Sequence, residues 1–382
     1  MTFTLIQYLI MGKNLKINSL NVRGLRDKTK RLSIFSHLKK QSKGVTFLQE
    51  THSCCETEGL WRRDCNGAIY FAHGTTGARG VAILLLQTLQ ANANILEADT
   101  EGRYIIINAT IYDKTYLLCN IYAPTKDHIT EQLQFIERLE VVLSKYADQD
   151  IVLAGDFNFV LNPKLDKAGG KTETLSVYGK HIISLMDTFN LSDIWRIRNP
   201  DSKRFTHRQK TKCGIVHSRL DFFLISNNLS YNIIETIIST GLHTDHSLIE
   251  IVIKSEQYNI RVKGTWKMNT SLLKDVEYVQ LVKQVISDTY KDNLHLEDKG
   301  LIWDFIKCKV RGSTISYSSY KAKERRKHEN ELLESIETYE KEKLDNDTYD
   351  IFLSLKKNMN KSNVWYIWWG TTMGFEPGSP AY

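Results

Sequence analysis

The sequence predicts an α/β fold built on stacked sheets, and three stretches predict it. Residues 151–154 form an apolar run of strand length, closed by Gly155 and followed by the polar pair Asp156 and Asn158. Between residues 68 and 122, four strand-like runs (68–72, 80–86, 104–111 and 116–122) succeed one another without a helix, the pattern of antiparallel meanders. Amphipathic helical rhythms at 131–146 and 177–189 flank the 151–154 strand.

The chain's 382 residues suffice for one large domain with an appendage, or for two domains. Hydrophobic residues at 42% and charged residues at 25% are ordinary for a soluble globular protein. The net charge of +7 is a modest bias toward polyanions and fits a nucleic-acid substrate. Six cysteines without a CxxC pair argue against a zinc site or disulfide framework, and point to a reducing compartment. No apolar run reaches the roughly 18 residues of a membrane span, so neither a membrane nor a lipid partner is expected. The opening MTFTLIQYLIM is apolar but lacks a basic start and a small-residue cleavage site, a poor fit to a secretory signal. Met11 is an alternative start, and the expected location is nucleus or cytoplasm.

Taken in order, residues 15–22 alternate apolar and polar as a strand, with Asn21 at its end before the turn Val22-Arg23-Gly24. Residues 28–41 carry a helical rhythm with a basic outer face. A short buried strand, 45–48, leads to Glu50 at its C-terminal lip. Pro124 closes the strand that ends at Tyr122. Were the 151–154 strand to continue to Asn158, Asp156 and Asn158 would point to one face and together grip a water, a metal or a phosphate oxygen. Segments 194–198 and 203–208 interleave aromatic and basic residues, a mixture that suits phosphate contact with stacking and equally suits a basic loop over core aromatics. Residues 218–225 read as a strand with Arg219 and Asp221 on one face. His243, Asp245 and His246 precede the strand 248–253, with a spacing that matches no zinc pattern. Singly, each polar strand end also reads as a turn or a solvated carboxylate. Their number, on strands able to stack as two facing sheets, favours a shared site.

The motifs SLNVRGL, FLQETH, NIYAP, GDFN, SRLDFFLIS and TDHSLI occur in the order seen in the exonuclease III-like endonuclease/exonuclease/phosphatase superfamily. The chain resembles most the endonuclease domain of LINE-type non-LTR retrotransposons, over residues 13–255. The resemblance implies a four-layer α/β/β/α sandwich of the DNase I-like kind, with its site at one end of the paired sheets. It implies a Mg2+-dependent nuclease (Mn2+ as substitute) acting on double-stranded DNA and leaving a 3′-hydroxyl. Glu50 is then the main metal ligand, with Asn21 beside it and Asp245 nearby. Asp156 orients or deprotonates the attacking water, Asn158 and Tyr122 hold the scissile phosphate, and His246 contacts it with support from Asp221. Arg23, Arg196, Arg198, Arg204, Thr206 and Arg219 are the candidate DNA contacts.

The chain departs from the abasic-site enzymes of that superfamily at three positions. Arg23 stands where they often carry an acid, Ser218 where they carry a Trp, and His207 where they carry an aromatic. Those aromatics help line a pocket for a flipped abasic sugar, so their absence favours nicking of intact DNA over abasic recognition. Residues 256–382 read as a separate helical, linker-like segment, with helices at 271–290, 301–311 and 319–344. The last is rich in both charges and reads as a solvated helix. The tryptophan-rich tail is expected to be a truncation or read-through, and the chain a fragment or decayed copy of a larger element. Two further readings stay open at this stage: an exonuclease III or abasic endonuclease of DNA repair, and an inactive nucleic-acid-binding remnant.

Overall fold

The computed structural model describes residues 14–371 except 42–43, 66, 76, 87–88, 90, 171–173, 213, 255–267 and 342–345. The expected N-terminal extension and the end of the tail, from residue 372, lie outside the described residues. By chain contacts there are two compact units: Met1–Ile260 with Ile336–Asn360, and Arg261–Ser335 with Lys361–Tyr382.

In the first unit the strands run β1 Leu15–Asn21, β2 Val45–Gln49, β3 Gly67–Ala72, β4 Val81–Leu86, β5 Ala91–Ala98, β6 Tyr104–Ile111, β7 Lys114–Tyr122, β8 Ile151–Asp156 and β9 Lys167–Ala168. They continue as β10 Leu191–Asp193, β11 His207–Thr211, β12 Gly214–Ser218, β13 Asp221–Ser226, β14 Ile233–Ser239 and β15 Leu248–Ile253. One six-stranded sheet has the order β14-β15-β1-β2-β4-β3, the other β10-β13-β8-β7-β6-β5, and β11-β12-β9 form a small third sheet. Within each large sheet one central pair is parallel, β1 with β2 and β7 with β8, and the other pairs are antiparallel.

The alternation of side chains along each strand builds the layers. Ile17, Phe47, Ile83, Ile107, Leu118, Val152, Phe223 and Ile251 meet between the two sheets. Leu117, Cys119, Ile121 and Leu153 face the other way, onto Phe135, Ile136 and Leu139 of helix Ile129–Ser144 and Tyr178, Ile182 and Leu185 of helix Val177–Thr188. Leu20, Leu48, Leu84 and Leu248 cover Ile34, Phe35 and Leu38 of helix Lys28–Gln41 and Trp61 of helix Glu58–Asp64. The result is the expected four-layer α/β/β/α sandwich. Strands buried on both faces explain why 81–86 and 151–154 are continuously apolar rather than alternating.

Three expectations need correction. The strand expected over 218–225 is divided, because Arg219 and Leu220 turn the chain from β12 into β13. The helices expected at 301–311 and 319–344 are one helix, Lys299–Lys341. Gly312 does not break it: a helical glycine costs only about 1 kcal/mol relative to alanine. Thirdly, Ile336–Asn360 belongs with the sandwich rather than with the helical segment. Glu340, Tyr349, Phe352, Lys356 and Met359 are buried there, which a solvated helix would not allow.

In the second unit, Asp275 caps helix Val276–Asp292 by accepting from the Glu277 and Tyr278 amides. Tyr317 Oη donates to Asp275 Oδ2 at 2.7 Å, and the Tyr278 hydroxyl meets Thr314 Oγ1 at 2.7 Å.

Candidate active site

Strand registers bring the polar strand ends to one place. Asn21 pairs with Gln49 across the parallel β1–β2 pair, and Tyr122 pairs with Asp156 across the parallel β7–β8 pair. Asp221, the first residue of antiparallel β13, stands opposite Asp156 on its other side. Parallel neighbours end at the same edge, so each sheet presents its C-terminal strand ends together.

Asn21 joins the two sheets. Its Nδ2 donates to Glu50 Oε1 at 2.8 Å and to Asp156 Oδ2 at 2.9 Å, while its Oδ1 accepts from the Arg23 amide at 3.0 Å. Asp156 Oδ1 accepts from the Asn158 amide at 2.9 Å. His246 Nδ1 pairs with Asp221 Oδ2 at 2.8 Å, and its Nε2 lies 3.8 Å from Asp156 Oδ2. Tyr122 lies near Glu50, with the Arg103 guanidinium 5.4 Å from its ring. Glu50, Asn21, Tyr122, Asp156, Asp221 and His246 therefore cluster at one end of the paired sheets.

Local backbone serves this geometry. The strand stops at Asp156 and not at Asn158, which has φ 52° and turns its Nδ2 to the Ala123 carbonyl at 2.8 Å. Gly155 is required at φ 144°, since a Cβ would stand 1.9 Å from the Ile121 carbonyl oxygen. Arg23, Glu50, His52 and His243 are also left-handed, at φ 47°, 50°, 54° and 56°. Such residues cost roughly 1–3 kcal/mol each and persist where surroundings over-determine them.

The electrostatics set protonation. Burial, then the Asp221 charge, raise Asp156 to about 7, against the pull of His246, Asn21 and the Asn158 amide. For His246 burial works downward, but the charge and hydrogen bond of Asp221, helped by Asp156 and Asp245, carry it up to about 10, so it is an imidazolium at neutral pH. Burial and the neighbouring Glu50 and Asp156 push Tyr122 far above its ordinary range, and it stays protonated. Burial would raise Asp245, but His207, His246 and Arg23 together hold it well below the usual carboxylate range.

The donor set fits a hard divalent cation. Glu50 and Asp156 offer carboxylate oxygens, as Mg2+ and Mn2+ prefer, and the Asn21 Nδ2 holds the two carboxylates together. A dication close by would further offset the buried charge of Asp156 beside Asp221.

The remaining candidates are distributed differently. Asp245 is not free beside Glu50: it accepts from Arg23 Nη1 at 2.5 Å and lies 3.7 Å from His207 Nε2. Arg23 itself is 66% exposed at the rim. Arg219, expected to touch DNA, is only 1% exposed and bonds Asp166 at 2.8 and 2.9 Å and Asp193 at 2.5 and 3.2 Å. Thr206 is likewise buried, its Oγ1 accepting from the amides of Leu220 and Asp221 at 2.9 and 3.1 Å, which fixes Asp221 under His246. Arg196 caps the carbonyls of Asn199, Pro200 and Ser202 and pairs with Asp166. Arg198 donates to the Ile233 and Ile234 carbonyls. Arg204 bonds Glu340 Oε2 at 3.1 Å. Of the six, Arg23 and Arg198 are exposed, and Arg198 spends its guanidinium on backbone carbonyls.

Sequence reasoning passed over Gln49 and Asn120. Gln49 Nε2 donates to Ser19 at 2.9 Å and Asn120 Oδ1 at 2.6 Å, and Asn120 Nδ2 donates to the Leu48 and Ala82 carbonyls, tying the sheets behind the site. Their signal was available: polar residues beside strand ends, in otherwise apolar runs.

No protein-family model matches the chain. The Transposon TX1 uncharacterized 149 kDa protein of Xenopus laevis is 27% identical over 270 residues, 70% of this chain and 20% of that protein, so the chain spans a small part of its length. The exodeoxyribonuclease of Bacillus subtilis (strain 168) is 25% identical over 256 residues, 63% of this chain and 99% of that protein. Among solved structures, the AP endonuclease LMAP from Leishmania major shares the fold with a TM-score of 0.55 at 16% identity, over 64% of this chain and 88% of that one. Fold, motif order and relatives fit the exonuclease III-like endonuclease/exonuclease/phosphatase superfamily. The sequence relatives are a transposon protein and an exodeoxyribonuclease, and the AP endonuclease shares the fold.

Proposed function

We propose that the chain is a divalent-cation-dependent DNA phosphodiesterase that nicks one strand of a duplex and leaves a 3′-hydroxyl. The observation that carries this is the Asn21 junction, which sets Glu50 and Asp156 side by side while His246 faces Asp156 as a cation. Glu50, with Asn21 beside it, is the residue that would hold Mg2+, and the ion when bound supplies positive charge against the phosphate oxygens.

The protein's own groups do the rest. Asp156, a carboxylate made more basic by burial and the Asp221 charge, orients a water and accepts its proton as the water oxygen attacks phosphorus. The bond from phosphorus to the 3′ oxygen breaks, giving a 5′-phosphate and a 3′-hydroxyl once that oxygen is protonated. His246, kept charged by Asp221, stabilises the negative charge that grows on the phosphoryl oxygens. The protonated Tyr122 hydroxyl donates to the phosphate from the Glu50 side. Arg23 at the rim is the residue available to a neighbouring phosphate.

The full-length likeness to an exodeoxyribonuclease favours one second reading, a repair-type exonuclease or abasic endonuclease. Supercoiled plasmid incubated with the full chain, with Mg2+ or EDTA and beside Asp156→Ala, tests the main reading. Mg2+-dependent nicked circles absent in the variant support it. Cleavage confined to an abasic duplex or to DNA ends moves the assignment to the repair reading.

A further inference from the structure

His246 stands on a loop between β14 and β15, and part of what holds that loop comes from the C-terminal helix Asn346–Thr371. Lys356 Nζ donates to the Thr244 carbonyl at 3.0 Å, and Asn360 Oδ1 accepts from the His243 amide at 3.0 Å. Lys356 and Asn360 are four apart, on one face of the helix. From the sandwich side, Thr244 Oγ1 donates to the Asn21 carbonyl at 2.8 Å and accepts from the His246 amide at 3.2 Å, and His243 Nε2 meets Ser33 Oγ at 2.8 Å. The loop is thus gripped from two directions, each from residues more than a hundred positions away in sequence.

Two features mark the grip as built. Lys356 is only 6% exposed, and burying an ammonium is costly unless its protons are accepted. His243 takes φ 56°, a conformation that persists only when its neighbours fix it. The helix is anchored as well: Phe352 packs against the Arg208 guanidinium at 5.6 Å and the Lys356 ammonium at 5.5 Å. Just before it, at the end of helix Lys299–Lys341, Glu340, with no exposed side-chain surface, accepts from Arg204 and Arg208.

We propose that Lys356 and Asn360 are positioning residues of the active site, which hold the 243–246 loop so that His246 stays on Asp221 and across from Asp156. The inference rests on the nuclease reading of that site. Its content is that the nuclease unit requires Ile336–Asn360 and does not end near residue 255.

The test compares the full chain with Lys356→Met, Asn360→Ala and Asn360→Asp. Plasmid nicking in Mg2+ is measured together with hydrogen exchange of the 241–247 amides. Lys356→Met and Asn360→Ala are expected to lower kcat at least tenfold, with KM for DNA within twofold of wild type. Exchange at 241–247 should quicken at least tenfold, and Asn360→Asp, which keeps the acceptor, should recover most of both. Unchanged kcat and unchanged exchange would overturn the proposal. A rise in KM at unchanged kcat would also overturn it, because the helix would then be a DNA contact. Should the wild-type chain nick nothing, the nuclease reading fails, and exchange alone then judges the grip: unaltered protection in both Lys356→Met and Asn360→Ala refutes it.

Discussion

Replacing Arg219 by methionine separates a structural arginine from a DNA-binding one. Methionine keeps the unbranched stem and removes the guanidinium, which in the native protein bonds Asp166 and Asp193 through four contacts of 2.5 to 3.2 Å at 1% exposure. The substitution leaves two carboxylates facing the vacated site, 0% and 5% exposed, with Arg196 as the remaining partner of Asp166. Removing one partner of a buried ion pair costs about 3–5 kcal/mol, mostly the penalty of the charge left behind. For a unit of this size that corresponds to a fall in Tm of roughly 6–20 °C. Thermal and urea unfolding of the full chain measure the loss. Binding to an uncleaved duplex, titrated against salt below the lowered Tm, measures the other quantity. An arginine on a phosphate would reduce the logarithmic salt slope by about 0.9. The expected result is a large stability loss with that slope unchanged. A stability change under 1 kcal/mol together with a reduced slope would refute the buried-triad account. Adding Asp166→Asn and Asp193→Asn to the same chain should recover part of the stability, since the orphaned charges go with them.

Four further outcomes are expected. Asp156→Asn keeps the shape but cannot accept a proton, and Mg2+-dependent nicking should fall at least a hundredfold, about 2.7 kcal/mol of barrier, with the fold intact by circular dichroism. Glu50→Gln should raise the Mg2+ concentration for half-maximal nicking about tenfold or more, and EDTA should abolish nicking in wild type reversibly. Arg23→Ala should weaken duplex binding and lower the salt slope by about 0.9, because its guanidinium is open to solvent at the rim; an unchanged slope would return Arg23 to a purely local role with Asp245. Burial and the Arg208 charge depress His217 to about 4, and neither of its ring nitrogens has a hydrogen-bond partner among the described residues. A folded pKa below the unfolded value means the unfolded chain binds the proton first, so stability is intact above pH 6.5 and falls toward pH 4. One such histidine costs about 2 kcal/mol at pH 5, and His217→Leu should flatten that part of the stability curve, read as Tm between pH 7.5 and 5.

The sequence made the sandwich legible where burial imposes a pattern. Strands covered on both faces, such as 81–86 and 151–154, are apolar throughout, and helix Lys28–Gln41 turns Ile34, Phe35 and Leu38 to the core. Strand β5 escaped because ANANILEA is an edge strand with most positions at least partly exposed, so no burial disciplines its composition. The strand-end residues were legible for a geometric reason. A residue one step past an apolar run must lie at the sheet's rim, and parallel pairs put two such rims together.

What pattern cannot supply is the partner of a charge. Arg196, Arg204 and Arg219 look alike in sequence as basic residues near aromatics, and a charge count assigns all three to a polyanion. Their fates depend on Asp166, Asp193 and Glu340, which lie 26 to 136 residues away and carry no local mark. The same blindness hid the burial at the end of helix Lys299–Lys341. Glu340 sits in a stretch of mixed charge that reads as solvated, yet it is buried because two arginines wait on the sandwich. Arg23 completes the argument from the opposite side. It replaces an acid at the rim and meets Asp245 at 2.5 Å, so it brings positive charge to the side of the cleft where a second carboxylate would draw on the cation. With Glu50 as the ion's proposed anchor, affinity should depend on that one carboxylate more than on Asp245: Asp245→Asn should shift the Mg2+ requirement less than Glu50→Gln does.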